Sequence, residues 1–238
     1  PPQRVVSQAV GTDDLLLALA EPGQIAALSH LGQDERYAPS FVKARRYPAL
    51  RNSSAEDILR FRPDLVLATS YSPPESVVLL KRAGVRVHVI ERFERLEDVY
   101  ESLRRLGEIL GRKDRAEAII RDCEARVEAL ARRLQGVKPV RVLAAGVYPY
   151  AAGADTSFQD ICEHAGAVNV AAEAGLKGIV ASGGVRAGLR VTGVAGAVTW
   201  VRVAAGVGLA VAGVAGAVTW VRVAASSGTR VGLSVVGV

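Results

Sequence analysis

The stretch from Asp114 to Leu134, DRAEAIIRDCEARVEALARRL, restricts the fold more than any other part of the chain. Ile119, Ile120, Cys123, Val127, Leu130 and Leu134 recur at spacings of three and four, which lays one apolar stripe along a helix. Asp114 with Glu117 three residues on reads as an N-cap with its capping-box partner. Glu117–Arg121, Asp122–Arg126 and Glu128–Arg132 place an acid four residues before a base, the favourable order on a solvated face. Neither Gly nor Pro interrupts the run. At about 1.5 Å per residue it extends for roughly 30 Å, the width of a small domain. A helix of that length between two α/β units is either a crossover or a strut joining two lobes.

The residues before it alternate short strands with helices. Arg4 to Ser7 reads as a strand, and Thr12 caps a helix from Asp13 to Ala20 that ends at Pro22-Gly23. Ile25 to Ser29 is a second strand, followed by a polar Arg- and Tyr-rich loop from Gly32 to Asn52, long enough to carry function. Ser54 and Asp57 open a helix to Arg62, and Asp64 to Ala68 is a buried-type strand. Ser72-Pro73-Pro74-Glu75 predicts a helix start with Ser at N-cap and Glu at N3, reaching Ala83 before Gly84. Val85 to Ile90 is a strand, and Leu96 to Leu110 a helix ended by Gly111. This alternation with short connections predicts an α/β fold, a Rossmann-like parallel sheet covered on both faces.

Composition matters chiefly for charge. The net +6 over 238 residues looks like a nucleic-acid signal until it is located. Residues 179–238 hold five arginines and no Lys, Asp or Glu, so residues 1–178 carry 25 basic and 24 acidic groups. Without a basic stripe and interleaved aromatics, no nucleic-acid partner is expected. Cys123 and Cys162 fall on helices without metal-ligand spacing and read as free thiols, although a disulfide stays open in an oxidising compartment. His30 and His88 are isolated, and no metal site or cofactor is expected. The chain begins with Pro and contains no Met; any export signal is expected to have been removed or never included.

In parallel sheets ligands sit beyond the carboxyl ends of the strands. Those ends carry Ser7-Gln8, Thr69-Ser70-Tyr71 and Glu91-Arg92-Phe93. No glycine-rich phosphate loop follows a strand, and no G-x-S-x-G elbow or Ser–His–acid set is present. No catalytic residue is therefore assigned, and an enzyme is not expected.

The segments TDDLLLALAEPGQIAALS, AEDILRFRPDLVLATSYSPPE and VRVHVIERFERLEDVYESLRRLGEILGR, followed by the long helix, resemble the substrate-binding proteins of ABC importers. The resemblance is to the class whose lobes are joined by one long helix and which serves ferric siderophores, haem and cobalamin. Residues Val140 to Ala145 look like the first strand of the second lobe, and GADTSFQDICEHAGAVNVAAEAG like its first helix and A-G-x-x-N-V-A turn. The likeness divides the chain into an N-terminal lobe (1–112), a linking helix (113–136), the start of a second α/β lobe (137–178) and a Val/Ala/Gly-rich tail (179–238).

Such proteins catalyse nothing. What the resemblance implies is a periplasmic or extracellular protein holding one iron chelate or corrinoid between its lobes and presenting it to an ABC transporter permease. Gln8, Tyr71, Arg92, Phe93, Tyr148 and Tyr150 would face the ligand, with rings to stack and a guanidinium for charge-assisted bonds. Plainer roles stay open: Phe93 as packing, Arg92 as the partner of Glu91 or Glu94. In relatives a Glu near the start of the helix after the third strand pairs with permease arginines, and Glu75 occupies that position; its plainer role is the capping box.

The tail departs from the family. GVAGAVTWVRVAA occurs at Gly193–Ala205 and again at Gly213–Ala225. Three readings compete: a run of strands and Gly turns, with Val198 to Val203 as one strand; a low-complexity tail from a gene rearrangement or frame change; or membrane insertion through the uncharged span Val203 to Val221. The reading favoured is an altered C-terminus, partly strand-like, standing where most of the second α/β lobe is expected, so that lobe is truncated or atypical. The rival to solute binding is a non-catalytic interaction module in which the repeat drives assembly or membrane association.

Overall fold

The computed structural model describes residues 1–144 and 150–181, and beyond them the backbone of strands within 189–234. The chain divides inside the long helix into two units, Pro1–Arg126 and Val127–Val238.

The first unit begins with β1 (Val5–Ser7), α1 (Val10–Leu19) and β2 (Ile25–Ala27), followed by two short helices, α2 (Phe41–Ala44) and α3 (Ala55–Leu59). Then come β3 (Leu65–Thr69), α4 (Pro74–Arg82), β4 (Arg86–Ile90), α5 (Leu96–Leu110) and α6 (Lys113–Arg133). Four strands pair in the order β2-β1-β3-β4, and every pairing is parallel. Because side chains alternate along a strand, Val5, Leu65, Leu67 and Ile90 enter one core with residues of α1, α5 and α6. Val6, Val66 and Ala27 enter the other, with Ile58 and Leu80 from α3 and α4. All five residues of β3 are buried, as a central strand covered on both faces requires. Each fully buried leucine or valine in these layers contributes roughly 1.5–3 kcal/mol.

Several helix starts differ from expectation. α1 starts at Val10 with Ala9 at the N-cap, so Thr12 is the third helical residue and its hydroxyl accepts from the Ala9 N–H at 3.2 Å. This shift buries Asp13 instead of leaving it in an exposed first turn. α6 starts at Lys113, which puts Asp114 inside the first turn, not at the cap. Glu117 meets Arg104 of α5 at 3.0 Å, a tertiary partner that outcompetes the expected pairing with Arg121. The pairs Asp122–Arg126 and Glu128–Arg132 form as expected, at 3.9 and 2.6 Å. Only the first half of the stripe is buried: Ala116 and Ile120 are enclosed while Leu130 is exposed. α3 keeps its cap, with the Ser54 hydroxyl accepting from Asp57 N–H at 3.3 Å. α5 has the expected bounds, and Gly111 ends it at φ 71°, a conformation without Cβ penalty only for glycine.

Asp57 shows how a carboxylate ties a loop down. It is nearly fully buried, and it accepts from Arg51 N–H at 2.6 Å, Arg51 Nε at 2.9 Å and Arg60 at 3.0 Å. Burial alone would raise its pKa, but the bonds from Arg51 and Asn52 hold it below the ordinary value.

In the second unit β5 (Val140–Val142) pairs in parallel with β7 (Ala167–Asn169), and β6 (Tyr150–Ala152) pairs antiparallel with β8 (Ile179–Ala181). Thr156 caps α7 (Ser157–His164) by accepting from Gln159 N–H at 3.2 Å. Asn169 caps α8 (Val170–Glu173) with its carbonyl oxygen and donates to Ala152 O at 3.0 Å, so one side chain joins a helix start to β6. Cys123 and Cys162 are free thiols. The tail contributes β9 (Leu189–Ala195), β10 (Val198–Val203), β11 (Val207–Ala212), β12 (Trp220–Ala224) and β13 (Arg230–Ser234), neighbours in chain order in an antiparallel sheet. The uncharged span considered for membrane insertion contains β11, and no helix among the described residues is long and apolar enough to cross a membrane.

Candidate ligand-binding edge of the first unit

Parallel pairing places the carboxyl ends of β1 to β4 along one edge of the sheet, and the residues leaving that edge form the candidate site. From β1, Gln8 is 4 % exposed; its Nε2 donates to Ser53 O at 3.4 Å, and its Oε1 is buried without a partner among the described residues. The Ser76 hydroxyl of α4 donates to the same Ser53 carbonyl at 2.9 Å. The segment before α3 and the start of α4 are thereby held next to the end of β1.

From β3, Ser72 Oγ accepts from Thr69 N–H at 3.0 Å, and Thr69 Oγ1 accepts from Tyr71 N–H at 3.3 Å. These bonds turn the chain sharply and leave the Tyr71 side chain outside, 79 % exposed. Its ring centroid lies 5.7 Å from that of Phe93, tilted by 40°. A tilted aromatic pair at that spacing is favourable, and here it couples the turns after β3 and β4. Phe93 is half-buried against the core beneath.

From β4, the Arg92 guanidinium lies 3.7 Å from Asp98 and 3.4 Å from Glu101 of α5. Those residues, not Glu91 or Glu94, are its partners; Glu94 accepts from Phe93 N–H instead, at 3.1 Å. Arg92 is thus aimed by α5 while most of its side chain faces solvent, where the pair itself adds little stability. A cavity of about 200 Å³ opens beside it, lined by His88, Ile90, Arg92, Asp98, Glu101 and Arg105 among others. That volume is below the roughly 300–1,000 Å³ of small-molecule pockets. Burial, with Arg105 and Arg86 nearby, lowers the His88 pKa, so the imidazole is neutral at neutral pH.

Gln8, Tyr71, Arg92 and Phe93 therefore gather along one sheet edge. Tyr150 opens β6 of the second unit, and Tyr148 lies outside the described residues. Glu75 is the second residue of α4 and exposed, and α4 has Pro73 at its cap with no side-chain capping bond. The expected capping box does not form, because Ser72 turns back to Thr69. A buried carboxyl missed from sequence lies behind the edge. Asp13 accepts from Ser29 N–H at 3.0 Å and from the Ser29 hydroxyl at 2.5 Å. Burial pushes its pKa up to about 6, against the opposing hydroxyls of Ser29 and Ser7.

The sequence model described as periplasmic binding protein matches residues 5–184. A periplasmic haem-binding protein from Pseudomonas aeruginosa is similar at 26% identity and a TM-score of 0.63, over 75% of this chain and 65% of its own. A periplasmic haem-binding protein from Roseiflexus sp. RS-1 is similar at 25% identity and TM-score 0.64, over 76% and 70%. The fold is also that of a periplasmic vitamin B12-binding protein from Vibrio cholerae, at 17% identity and TM-score 0.60, over 76% and 70%. No curated protein sequence matches the chain.

Proposed function

Because the chain belongs to the periplasmic binding protein family, we propose that it is an extracytoplasmic solute-binding protein carrying an iron chelate or a cobalamin-like ligand to an ABC importer. Proteins of this family bind solutes and release them unchanged, and the similar structures are periplasmic. The observation that carries the reading is the Tyr71–Phe93 pair, with Arg92 beside it, at the carboxyl edge of a parallel sheet. An exposed ring on an aromatic base offers a flat face to a planar or chelate ligand, and the aimed guanidinium offers paired donors to its acceptors.

The test is a titration of the purified chain with haem, ferric siderophores and cobalamin, followed by tyrosine and tryptophan fluorescence. Saturable one-to-one quenching is expected with at least one probe. Tyr71→Ala is expected to weaken that binding by about tenfold, the worth of a lost stacking contact. A folded chain that binds none of the probes would sink the reading.

Glu75 is proposed as a contact to the permease. It is exposed at the start of α4, free of the cap that would otherwise hold it. Glu75→Arg is expected to leave ligand affinity unchanged while reducing import through the permease by about tenfold or more, as expected for losing one charge-assisted bond. Undiminished import into proteoliposomes carrying the importer would remove Glu75 from the docking surface.

A further inference from the structure

Solute binding leaves the repeated tail unexplained, and strand register gives it a pattern that the sequence alone does not display. Across β9 to β13, one row of register partners runs Arg190, Arg202, Gly208, Ala224, Arg230. Two residues along, the next row runs Trp200, Ala210, Arg222, Gly232, and the one after it Val198, Ala212, Trp220, Ser234. Residues directly opposite one another share a face of the sheet, and so do residues two apart on one strand. One face therefore collects four of the five arginines of residues 179–238 and both tryptophans of the chain. The row that alternates with these, on the other face, is Val191, Val201, Leu209, Val223 and Val231.

This segregation follows from the duplication together with its register. The two copies of the repeat supply β10 and β12, with β11 between them, and the second copy is displaced by an even step. Trp200 with Arg202 and Trp220 with Arg222 thus return to one face, where an odd step would have split them. Arg190 and Arg202 are direct cross-strand partners, and like charges in that relation repel. Residues 179–238 hold no Asp or Glu to separate them, so the counter-charge has to come from a partner. With strands about 4.8 Å apart, the row from Arg190 to Arg230 spans roughly 19 Å. One small anion does not cover that width; an extended anionic surface does.

Resting on the extracytoplasmic reading for the choice of partner, we infer that this arginine–tryptophan face is a docking surface for the anionic headgroups of a phospholipid bilayer. Arginine takes phosphate oxygens through paired donors, and tryptophan is the residue that settles at headgroup depth, with an apolar body and one polar N–H. The contact is adsorption by a sheet face, not the span through residues 203–221 that the uncharged sequence suggests. A single-stranded nucleic acid offers phosphates and stackable bases as well. It gains no continuing basic track from residues 1–178, where 25 basic groups are balanced by 24 acidic ones, and this favours the bilayer. Adsorption holds the chain at the surface in which an importer lies.

Because Trp200 and Trp220 are the two tryptophans of the chain, tryptophan emission reports on this face directly. The experiment titrates the full chain with phosphatidylglycerol vesicles and with phosphatidylcholine vesicles, following emission and co-sedimentation at low and high salt. A blue shift and sedimentation are expected with phosphatidylglycerol alone, both reversed by salt. R202Q/R222Q, its fold checked by circular dichroism, is expected to bind about 25-fold more weakly, about fivefold for each arginine near an anionic surface. R121Q/R133Q removes the same charge from exposed positions on α6 and is expected to bind as the wild type does. Absence of an emission shift in the wild type overturns the inference without recourse to any variant. Equal weakening in both variants assigns the binding to net charge and overturns it too. An oligothymidylate that shifts the emission at lower concentration than the vesicles assigns the face to nucleic acid, with the same consequence. Titration with haem, ferric siderophores and cobalamin separates the two readings: a chain that takes a solute and ignores vesicles overturns this inference alone, and one that binds vesicles and no solute supports it while removing solute binding.

Discussion

Gly107→Val is expected to destabilise the first unit by about 3 kcal/mol, at the upper end of what overpacking costs. Gly107 lies inside α5, where glycine costs roughly 1 kcal/mol relative to alanine, so some other requirement keeps it there. That requirement is the close return of α6. A Cβ on residue 107 would lie 2.7 Å from the Cβ of Ala116 and 3.2 Å from Arg112 O, both within the tight corner between the helices. Ala116 is fully buried and cannot move aside without shifting α6. Neighbouring Leu106 and Leu110 sit in the core shared with α1 and the sheet, so displacement of the corner opens that core. Gly107→Ala is expected to cost less, about 1–2 kcal/mol, because improved helix propensity offsets part of the clash. Hydrogen exchange at the amides of β1 and β3 is the readout, since it reports opening of this unit alone. Unchanged protection in the valine variant would show that the corner relaxes freely.

A second large effect is expected from pH. Asp13 is buried at the start of α1, with a pKa raised from 3.8 to about 6. The folded chain therefore holds a proton that the unfolded chain has released between those values, and stability falls as pH rises through that window. The contribution is complete below about pH 4 and gone above about pH 7. With each pKa unit worth about 1.4 kcal/mol, the swing is on the order of 3 kcal/mol. Asp34 and Asp57, whose pKa values are depressed by Arg36 and Arg51, contribute the opposite trend at lower pH, so the wild-type profile alone does not isolate Asp13. The difference from Asp13→Asn does. Urea titrations are expected to show the wild type gaining about 3 kcal/mol relative to the variant on going from about pH 7 to about pH 4. Parallel profiles would mean that Ser29 and the backbone stabilise the ionised carboxylate well enough to cancel the cost of its burial.

Both effects rest on residues that look ordinary in the sequence. Gly107 sits in an otherwise regular helical pattern, and Asp13 reads as one of two acids in a helical first turn. Their consequences come from Ala116 and Ser29, neighbours supplied by other elements. Glu75 and Ser72 make the same point: their spacing matches a capping box, yet Ser72 bonds back to Thr69 because the turn after β3 places that N–H closer. Local spacing states which bonds are available, and the tertiary path selects among them.

The alternation of elements, and the sheet edge that carries the candidate site, are legible along the chain without its neighbours in space. Strand formation in apolar runs such as Leu65–Thr69, the period of α5 and α6, and the glycine after Leu110 are local consequences of side-chain pattern and backbone sterics. Since all four strands run parallel, the strand-end residues Gln8, Tyr71, Arg92 and Phe93 fall on one edge, as the alternating pattern predicts. What those side chains do there is a matter of tertiary arrangement: Tyr71 leans on Phe93, Arg92 is aimed by Asp98 and Glu101, and the polar loop after β2 folds back on Gln33 to fix its arginines over aromatic rings. Those outcomes depend on which distant groups arrive within a few ångströms, where desolvation and hydrogen bonding act, and no periodicity along the chain encodes that arrival.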